Sequence, residues 1–443
     1  MASPSNLQDG SFTNILKQLQ DGTMSNQLAE HSDMWKYIQK NLKKEAFDGK
    51  KLIRPLKVKR GVAGVKNISN TGSFASKKVA TYTELVAEPK YITAHIEVPY
   101  TVIRAGERDR GAFIRPMKSE IEDKQEATAM QLSRQAFGDG SGILGTIVSA
   151  TDSGAYGTIV IAESNTKEGH VRWIEEGDEI DIYASAADDT AVTDHGASTV
   201  AYSIVTSVDE ATNTILIQPY DSSNIATAFE VGSTAADNVI VRNGLTFNDN
   251  AAVTNHNDVS EEITGLEVIV DEDGKVFNVD RSTYPQFGSH VQKGANNLLS
   301  TDMFRSCVTG AKKKGGKPKV AVMSDDCYNR FADIAEEDKR LQNVNSTVLG
   351  MEVAGYKAPY GTIEFVLDYY CRDDRIFLLD HESLELYGED FDFFKDPESG
   401  KVLRIASSSS GGYTPDYSAE LFGICELFGT RPRANARLEG FLI

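Results

Sequence analysis

The apolar positions of this chain change period several times, and the most sharply bounded helical stretch is Pro116 to Gly142. There Met117, Ile121, Thr128, Leu132 and Ala136 recur at spacings of four, seven, four and four, a narrow apolar stripe along an otherwise polar helix. Pro116 suits a first helical turn, and Gly138, Gly140 and Gly142 supply the stop. About 21 residues at a rise of 1.5 Å predict a spine about 30 Å long.

Upstream of it, residues 1–57 read as an arm. Ser25 to Leu42 patterns as a short amphipathic helix through Leu28, Met34, Trp35, Ile38 and Leu42, too short to stand alone and therefore in need of a host surface. Residues 58–110 turn to β-branched and aromatic runs around a tip rich in Gly, Ser and Asn between Lys66 and Lys78, the pattern of a long hairpin. An isolated hairpin is marginal in water, so this one is expected to lie on something else.

Downstream, residues 143–265 alternate short strands with Gly, Asp, Ser and Asn clusters. The predicted strands are Ile143–Val148, Gly157–Ala162, Glu179–Tyr183, Ala201–Val208, Thr214–Gln218 and Val239–Arg242, a small antiparallel barrel or sandwich. An inserted domain needs its two ends close together, so Gly142 and Gly265 are expected to be neighbours. After a return segment, 266–282, residues 283–381 mix helices with strands. Ser300–Lys314 reads as a helix, Lys319–Met323 as a strand, and Ser324 as the cap of a helix carrying Tyr328, Phe331 and Ile334. Strands follow at Met351–Val353, Ile363–Leu367 and Ile376–Leu379, then in 382–443 at Glu382–Tyr387, Lys401–Ile405 and Tyr417–Phe428, before a basic tail. There is no strict βαβ repeat, so the fold class is α+β.

Charge sharpens this division. The 443 residues carry a net charge of −19. Residues 143–265 alone hold twenty carboxylates against Lys167, Arg172 and Arg242, a balance of −17. Residues 1–60 have eleven basic against six acidic side chains. The inserted segment is thus repelled by polyanions while the rest tolerates a nucleic acid nearby. Cys307, Cys327, Cys371 and Cys425 form no C-x-x-C pair and are expected as buried, reduced thiols. No apolar run approaches a membrane span and the first residues lack a signal-peptide core, so assembly in a host cytoplasm is expected.

Candidate chemistry is sparse. The seven histidines show no zinc-binding spacing. Gly138-Asp139-Gly140-Ser141-Gly142 follows a helix and has no Lys-Ser/Thr after it, which makes it a helix stop rather than a phosphate loop. Asp271-Glu272-Asp273-Gly274 lacks alternating calcium ligands and is expected as an Asp-Gly hairpin turn. Lys312, Lys313, Lys314, Lys317 and Lys319 are the best nucleic-acid candidate, but without interleaved aromatics a solvated loop or subunit contact is favoured. No catalytic, metal or cofactor site is expected, and the chain is not expected to be an enzyme.

Positive arm, long hairpin, spine helix ending in Phe-Gly-Asp-Gly-Ser-Gly, β-rich insert, α+β domain and returning strands, in that order, resemble the major capsid proteins of tailed bacteriophages. The most specific stretches are Met117–Gly142, Thr264–Glu267 through Val279–Ser282, and Tyr360–Asp368 followed by Arg375–Asp380. The resemblance implies the Hong Kong 97-type capsid fold. It places the extended loop in 58–110, the spine of the peripheral domain in 111–142, an insertion domain on the outer shell in 143–265, and most of the axial domain in 283–381.

It also implies hexamers and pentamers closing an icosahedral virion shell around double-stranded DNA held non-specifically, a portal, and room for decoration proteins. With only about 60 residues in the arm, a separate scaffolding protein is implied. Within such a shell, Lys57, Lys59, Arg60 and Lys66 of one loop are expected to meet Glu120, Glu122 and Asp123 on a neighbour's spine; the alternative is that both sets are merely solvated. Rival readings are an encapsulin-like compartment shell, a hydrolase, and a surface carbohydrate-binding protein using Trp173, Tyr183, Tyr202 and Tyr220 as sugar platforms, although aromatics on short strands are more often core.

Overall fold

The computed structural model describes residues 34, 37–38, 43–45, 51–60, 65, 67, 72–73, 79–101, 116–152, 156–162, 169–183, 203–219, 238–243, 261–340, 355–358, 360–393, 404–407 and 413–443. In chain order the elements begin with β1 (Lys43–Glu45), β2 (Leu52–Lys59), β3 (Thr81–Ala87), β4 (Lys90–Pro99) and the spine helix α1 (Pro116–Phe137). Six strands follow: β5 (Ile143–Asp152), β6 (Gly157–Ile161), β7 (Glu179–Tyr183), β8 (Ser203–Asp209), β9 (Thr214–Pro219) and β10 (Val239–Arg242). Then come α2 (Leu266–Ile269), β11 (Lys275–Val276), β12 (Val279–Asp280), β13 (His290–Lys293), α3 (Thr301–Lys313), β14 (Val320–Met323) and α4 (Asp325–Arg340). The last are β15 (Gly355–Ala358), β16 (Gly361–Leu367), β17 (Arg375–Leu379), β18 (Leu384–Phe393), β19 (Arg404–Ser407), β20 (Tyr413–Gly429) and β21 (Ala436–Glu439).

The chain divides into two compact units, one of residues 1–32, 91–132 and 388–425, the other of residues 33–90, 133–387 and 426–443. In the first, β4 lies beside β20 and β19 pairs antiparallel with it. Tyr91 stacks on Phe422 with centroids 5.9 Å apart, and Ile96 and Val98 are buried. The spine helix starts at Pro116 and stops where its sequence says it should. Thr128 and Leu132 of the predicted stripe are buried, and Thr128 Oγ1 donates to Lys124 O at 2.7 Å.

The second unit holds three sheets that matter here. The first is a closed barrel, β10-β5-β6-β9-β8-β7, antiparallel throughout. Alternation drives it: Gly157, Ile159 and Ile161 face in while Thr158 and Val160 are half-buried, and Ile147, Ile180, Ile215, Ile217 and Val241 fill the interior. Closure removes every edge, which suits a strongly acidic module that must not pair with other strands. The strands match the sequence expectation to within a few residues and decide the barrel over the sandwich.

The second is a six-stranded mixed sheet, β13-β21-β17-β14-β16-β15, in which β13 runs parallel to β21 and β14 to β16. Helices α3 and α4 supply its core. Ser300 caps α3 by accepting from Met303 N at 3.3 Å, and Ser324 Oγ accepts from Cys327 N at 3.3 Å at the start of α4. Phe304 then meets Phe331, Tyr356 and Phe365 edge-on at centroid distances of 5.3, 5.1 and 6.2 Å, within the range where such pairs are favourable. All four cysteines are buried and free, as expected; burial pushes the Cys327 thiol up to about 12.

The third sheet is the two-stranded ribbon β2–β3, whose register runs from Leu52 opposite Ala87 to Lys59 opposite Thr81. It moves one boundary. The hairpin begins at Leu52, inside the segment assigned to the arm, because Leu52, Arg54, Leu56 and Val58 alternate with exposed neighbours across that boundary. Lys90–Pro99, within the 58–110 segment read as the hairpin and its flanking strands, is a flanking strand beside β20.

The predicted Asp-Gly turn is also displaced. The hairpin β11–β12 exists, but its two turn residues are Phe277 and Asn278, with φ of 49° and 65°, the backbone of a two-residue hairpin turn. Phe277 tolerates this strain because its ring is fully buried against Phe428, centroids 4.7 Å apart. Of the arm helix, only Met34, Tyr37 and Ile38 are described. They are helical, Met34 and Ile38 are buried, and Met34 N donates to Asp368 Oδ2 at 2.7 Å. At Met34 the host surface is the same chain. The strand expected at Met351–Val353 lies outside the described residues.

Candidate assembly surfaces

The ribbon is anchored at one end. At its base Leu85 and Ala87 are buried and Val86 N donates to Phe277 O at 3.0 Å. Arg54 fastens it further: its guanidinium lies 2.8 Å from Glu385 and 5.7 Å from the Phe428 ring centroid, over the aromatic face. Along its length apolar side chains stay bare: Ile53, opposite Val86 near the base, is 57% exposed, and Tyr82 and Val79 towards the tip are 60 and 70% exposed, apolar surface that a two-stranded ribbon does not cover by itself. Lys57, Lys59 and Arg60 are exposed on the same ribbon. Lys66 lies outside the described residues.

On α1, Glu122 and Asp123 are exposed and Glu120 is half-buried, its carboxyl raised above the ordinary range mainly by burial. The basic candidates belong to the second unit and the acidic ones to the first.

A second surface is the junction of the barrel with the six-stranded sheet, formed by residues that sequence reasoning did not select. A short 3-10 turn, Val171–Trp173, follows β6, with His170 at its start accepting from Arg172 N at 3.1 Å. Arg172 reaches Asp373 at 2.9 Å, and Asp326 and Glu210 each at 3.4 Å, with its guanidinium 5.6 Å from the Tyr369 centroid. Trp173 is 3% exposed and its Nε1 donates to Tyr370 O at 3.0 Å. Tyr369 donates to Glu210 as well. Burial, reinforced by the Arg172 and Arg372 charges, pushes His170 down to about 4, so it is neutral at physiological pH.

This arrangement fits the core reading of Trp173 rather than the rival sugar-platform reading, since its ring packs inside the junction. Tyr202 and Tyr220 lie outside the described residues, as does the side chain of Tyr183. The signal that could have found the junction is scarcity. In a segment with three cations, Arg242 is held 2.8 Å from Asp178 beside β7 and Arg172 is held by carboxylates, two of which lie beyond the barrel.

The neck of the barrel is equally definite. A Cβ on Gly265 would fall 1.9 Å from Gly138 O and 2.7 Å from Gln135 O, so the start and the end of the excursion touch. Gly140 and Gly142 make the exit possible with φ of 86° and 85°. Among the described residues no group of His, Cys, Asp and Glu could hold a metal ion, and no helix is long and apolar enough to cross a membrane.

Residues 243–400 match a family model described as the SU10 major capsid protein. Among solved structures, the capsid asymmetric unit of cyanophage A-1(L) is similar over 97% of this chain and 98% of its own, at a TM-score of 0.55 and 14% identity. The capsid of Myoviridae phage XM1 aligns over 99% of each chain at a TM-score of 0.45 and 8% identity. No protein with a curated description matches the sequence. Residues 243–400, which take in most of the six-stranded sheet, thus match a major capsid protein family, and the chain shares along its length the fold of a phage capsid subunit.

Proposed function

We propose that the chain builds an icosahedral shell as hexamers and pentamers around double-stranded DNA, with the barrel as an insertion domain on the outer surface. The observation that carries this reading is the bare ribbon: Ile53, Val79 and Tyr82 are each more than half exposed, so assembly with a neighbour would bury them and complete the fold of that part. The acidic barrel suits an outer position because its charge repels packaged DNA. Lys57, Lys59 and Arg60, with Lys66, then meet Glu120, Glu122 and Asp123 of an adjacent copy. A separate scaffolding protein, a portal and packaged DNA complete the partners, and the barrel is where decoration proteins would sit. Negative-stain microscopy with sizing chromatography, on the chain alone and with its scaffold, tests this. Closed shells, tubes or five- and six-fold rings are expected; a stable 48 kDa monomer under both conditions overturns it.

A further inference from the structure

Strand β13 and helix α3 enclose an open pocket of about 420 Å³ whose lining is one-sided in charge. His290 and Gln292 come from the strand, and Arg305, Ser306, Lys313 and Lys314 from the helix and its end; among the described residues no carboxylate lines it. Gly310 makes the floor: a Cβ there would fall 1.9 Å from the His290 ring, so only glycine lets the imidazole lie against the helix.

The cations differ in how they are held. Lys314 Nζ is fixed by backbone carbonyls, with Gly288 O at 3.1 Å and Ser289 O also accepting, so its charge is positioned without being neutralised by contact. Among the described residues Arg305 pairs with Asp302, a pair exposed at both ends and worth little in water. Lys312 and Lys313 complement the carboxyl end of the helix, but that does not account for Arg305 two turns earlier or for the polar side chains of the facing strand. His290 reports the imbalance. Burial first, then Lys314 and Lys313, hold its pKa below the ordinary value; burial likewise lowers that of Lys314, with Glu272 and Asp273 acting against Arg433 and Arg281.

We propose that this pocket is an oxyanion site for a phosphate-class group, gripped by Arg305, Lys313 and Lys314 with His290 and Gln292 as neutral hydrogen-bonding partners. Three cations distributed along two helical turns suit a group with acceptor oxygens on several sides better than a flat carboxylate. The volume is that of a small-molecule site, roomy enough for a phosphodiester with its sugar as well as for free phosphate. All the residues belong to one chain, so the site stands whether or not the shell reading does.

The test is equilibrium dialysis of radiolabelled inorganic phosphate, and fluorescence anisotropy of a labelled oligothymidylate, against the full chain at constant ionic strength. The Arg305→Gln/Lys313→Gln double variant is expected to lose at least about tenfold in phosphate affinity, whereas Lys312→Gln, on the same helix end but outside the pocket, binds as the parent does. These are exposed side chains, and unchanged near-ultraviolet dichroism verifies the fold. Oligonucleotide binding that falls in the same variant and is competed by phosphate identifies a phosphodiester; retained oligonucleotide binding identifies free phosphate. Three results overturn the proposal: no saturable phosphate binding, equal loss with Lys312→Gln, or competition by succinate as strong as by phosphate.

Discussion

Arg134, in the last turn of the spine helix, is ion-paired with Glu262, 128 residues later, and both side chains are buried. The pair closes the neck through which the chain leaves for the barrel and returns. Removing one partner leaves a buried charge uncompensated, which typically costs about 3–5 kcal/mol. Arg134→Leu is therefore expected to lower the unfolding free energy by about that much, and Arg134→Leu/Glu262→Leu to recover part of it. Denaturant unfolding of the three proteins reads this out; a single-variant loss under about 1 kcal/mol would remove the pair from the account.

Gly265→Ala is expected to be more severe than its size suggests. The new methyl meets two backbone oxygens of the spine, at 1.9 and 2.7 Å, and neither can rotate away. A loss of about 3 kcal/mol or an insoluble subunit is the expected outcome, measured against Gly177→Ala. At Gly177 the space is open, though φ is +92°, so that variant isolates backbone strain from collision. Equal effects of the two would contradict the close-approach argument.

The barrel junction divides into a buried and a charged part. Trp173→Ala removes a buried ring and its bond to Tyr370 O, with an expected loss of about 3–5 kcal/mol. Arg172→Ala is expected to cost less, about 1–2 kcal/mol, and that cost should shrink in high salt because Glu210 and Asp326 are largely exposed. A salt-independent loss for Arg172→Ala would show that packing on Tyr369, and not charge, fixes the junction.

Glu426 gives the second unit a pH dependence. It is fully buried, accepts from Thr264 N at 3.0 Å, and burial pushes its carboxyl from 4.5 up to about 7, against opposing influences from Thr264 and Lys90. Because the folded state holds the proton more tightly, this group's contribution is fully present below about pH 4.5 and is lost as pH rises through about 7, by a few kcal/mol in total. Glu426→Gln keeps the acceptor and removes the titration. The difference in stability between parent and variant is expected to change between pH 4.5 and 7 and to be flat above 8; parallel curves across that window would refute the assignment.

The shell reading makes its own demands on the ribbon. Ile53→Ser/Tyr82→Ser, on exposed positions, is expected to leave subunit unfolding within about 0.5 kcal/mol of the parent while reducing the yield of closed particles. Glu122→Lys/Asp123→Lys is expected to do the same by setting like charges against Lys57, Lys59 and Arg60 of a neighbour. Normal particles from either variant, counted by microscopy, would disconnect those residues from assembly.

What the sequence determined by itself was everything written in local periods and stops. The spine helix was bounded by Pro116 and the Gly138–Gly142 run, the barrel strands were set by alternation between turn clusters, and Ser300 and Ser324 marked two helix starts by capping chemistry. Local signals also placed the acidic charge in one segment and the exposed apolar face on one hairpin. Tertiary structure decided whatever depends on partners distant in sequence. Nothing near Arg134 announces Glu262, nothing near Gly265 announces Gly138 O, and the sequence favours a core position for Trp173 without naming Tyr370 as its partner. Phe277 shows the same limit at a turn: the local code favoured Asp273-Gly274, but burial against Phe428 holds a phenylalanine in a left-handed backbone. Side-chain burial between remote segments overrides a local preference of about 1–2 kcal/mol, and no window of sequence contains both members of such a pair.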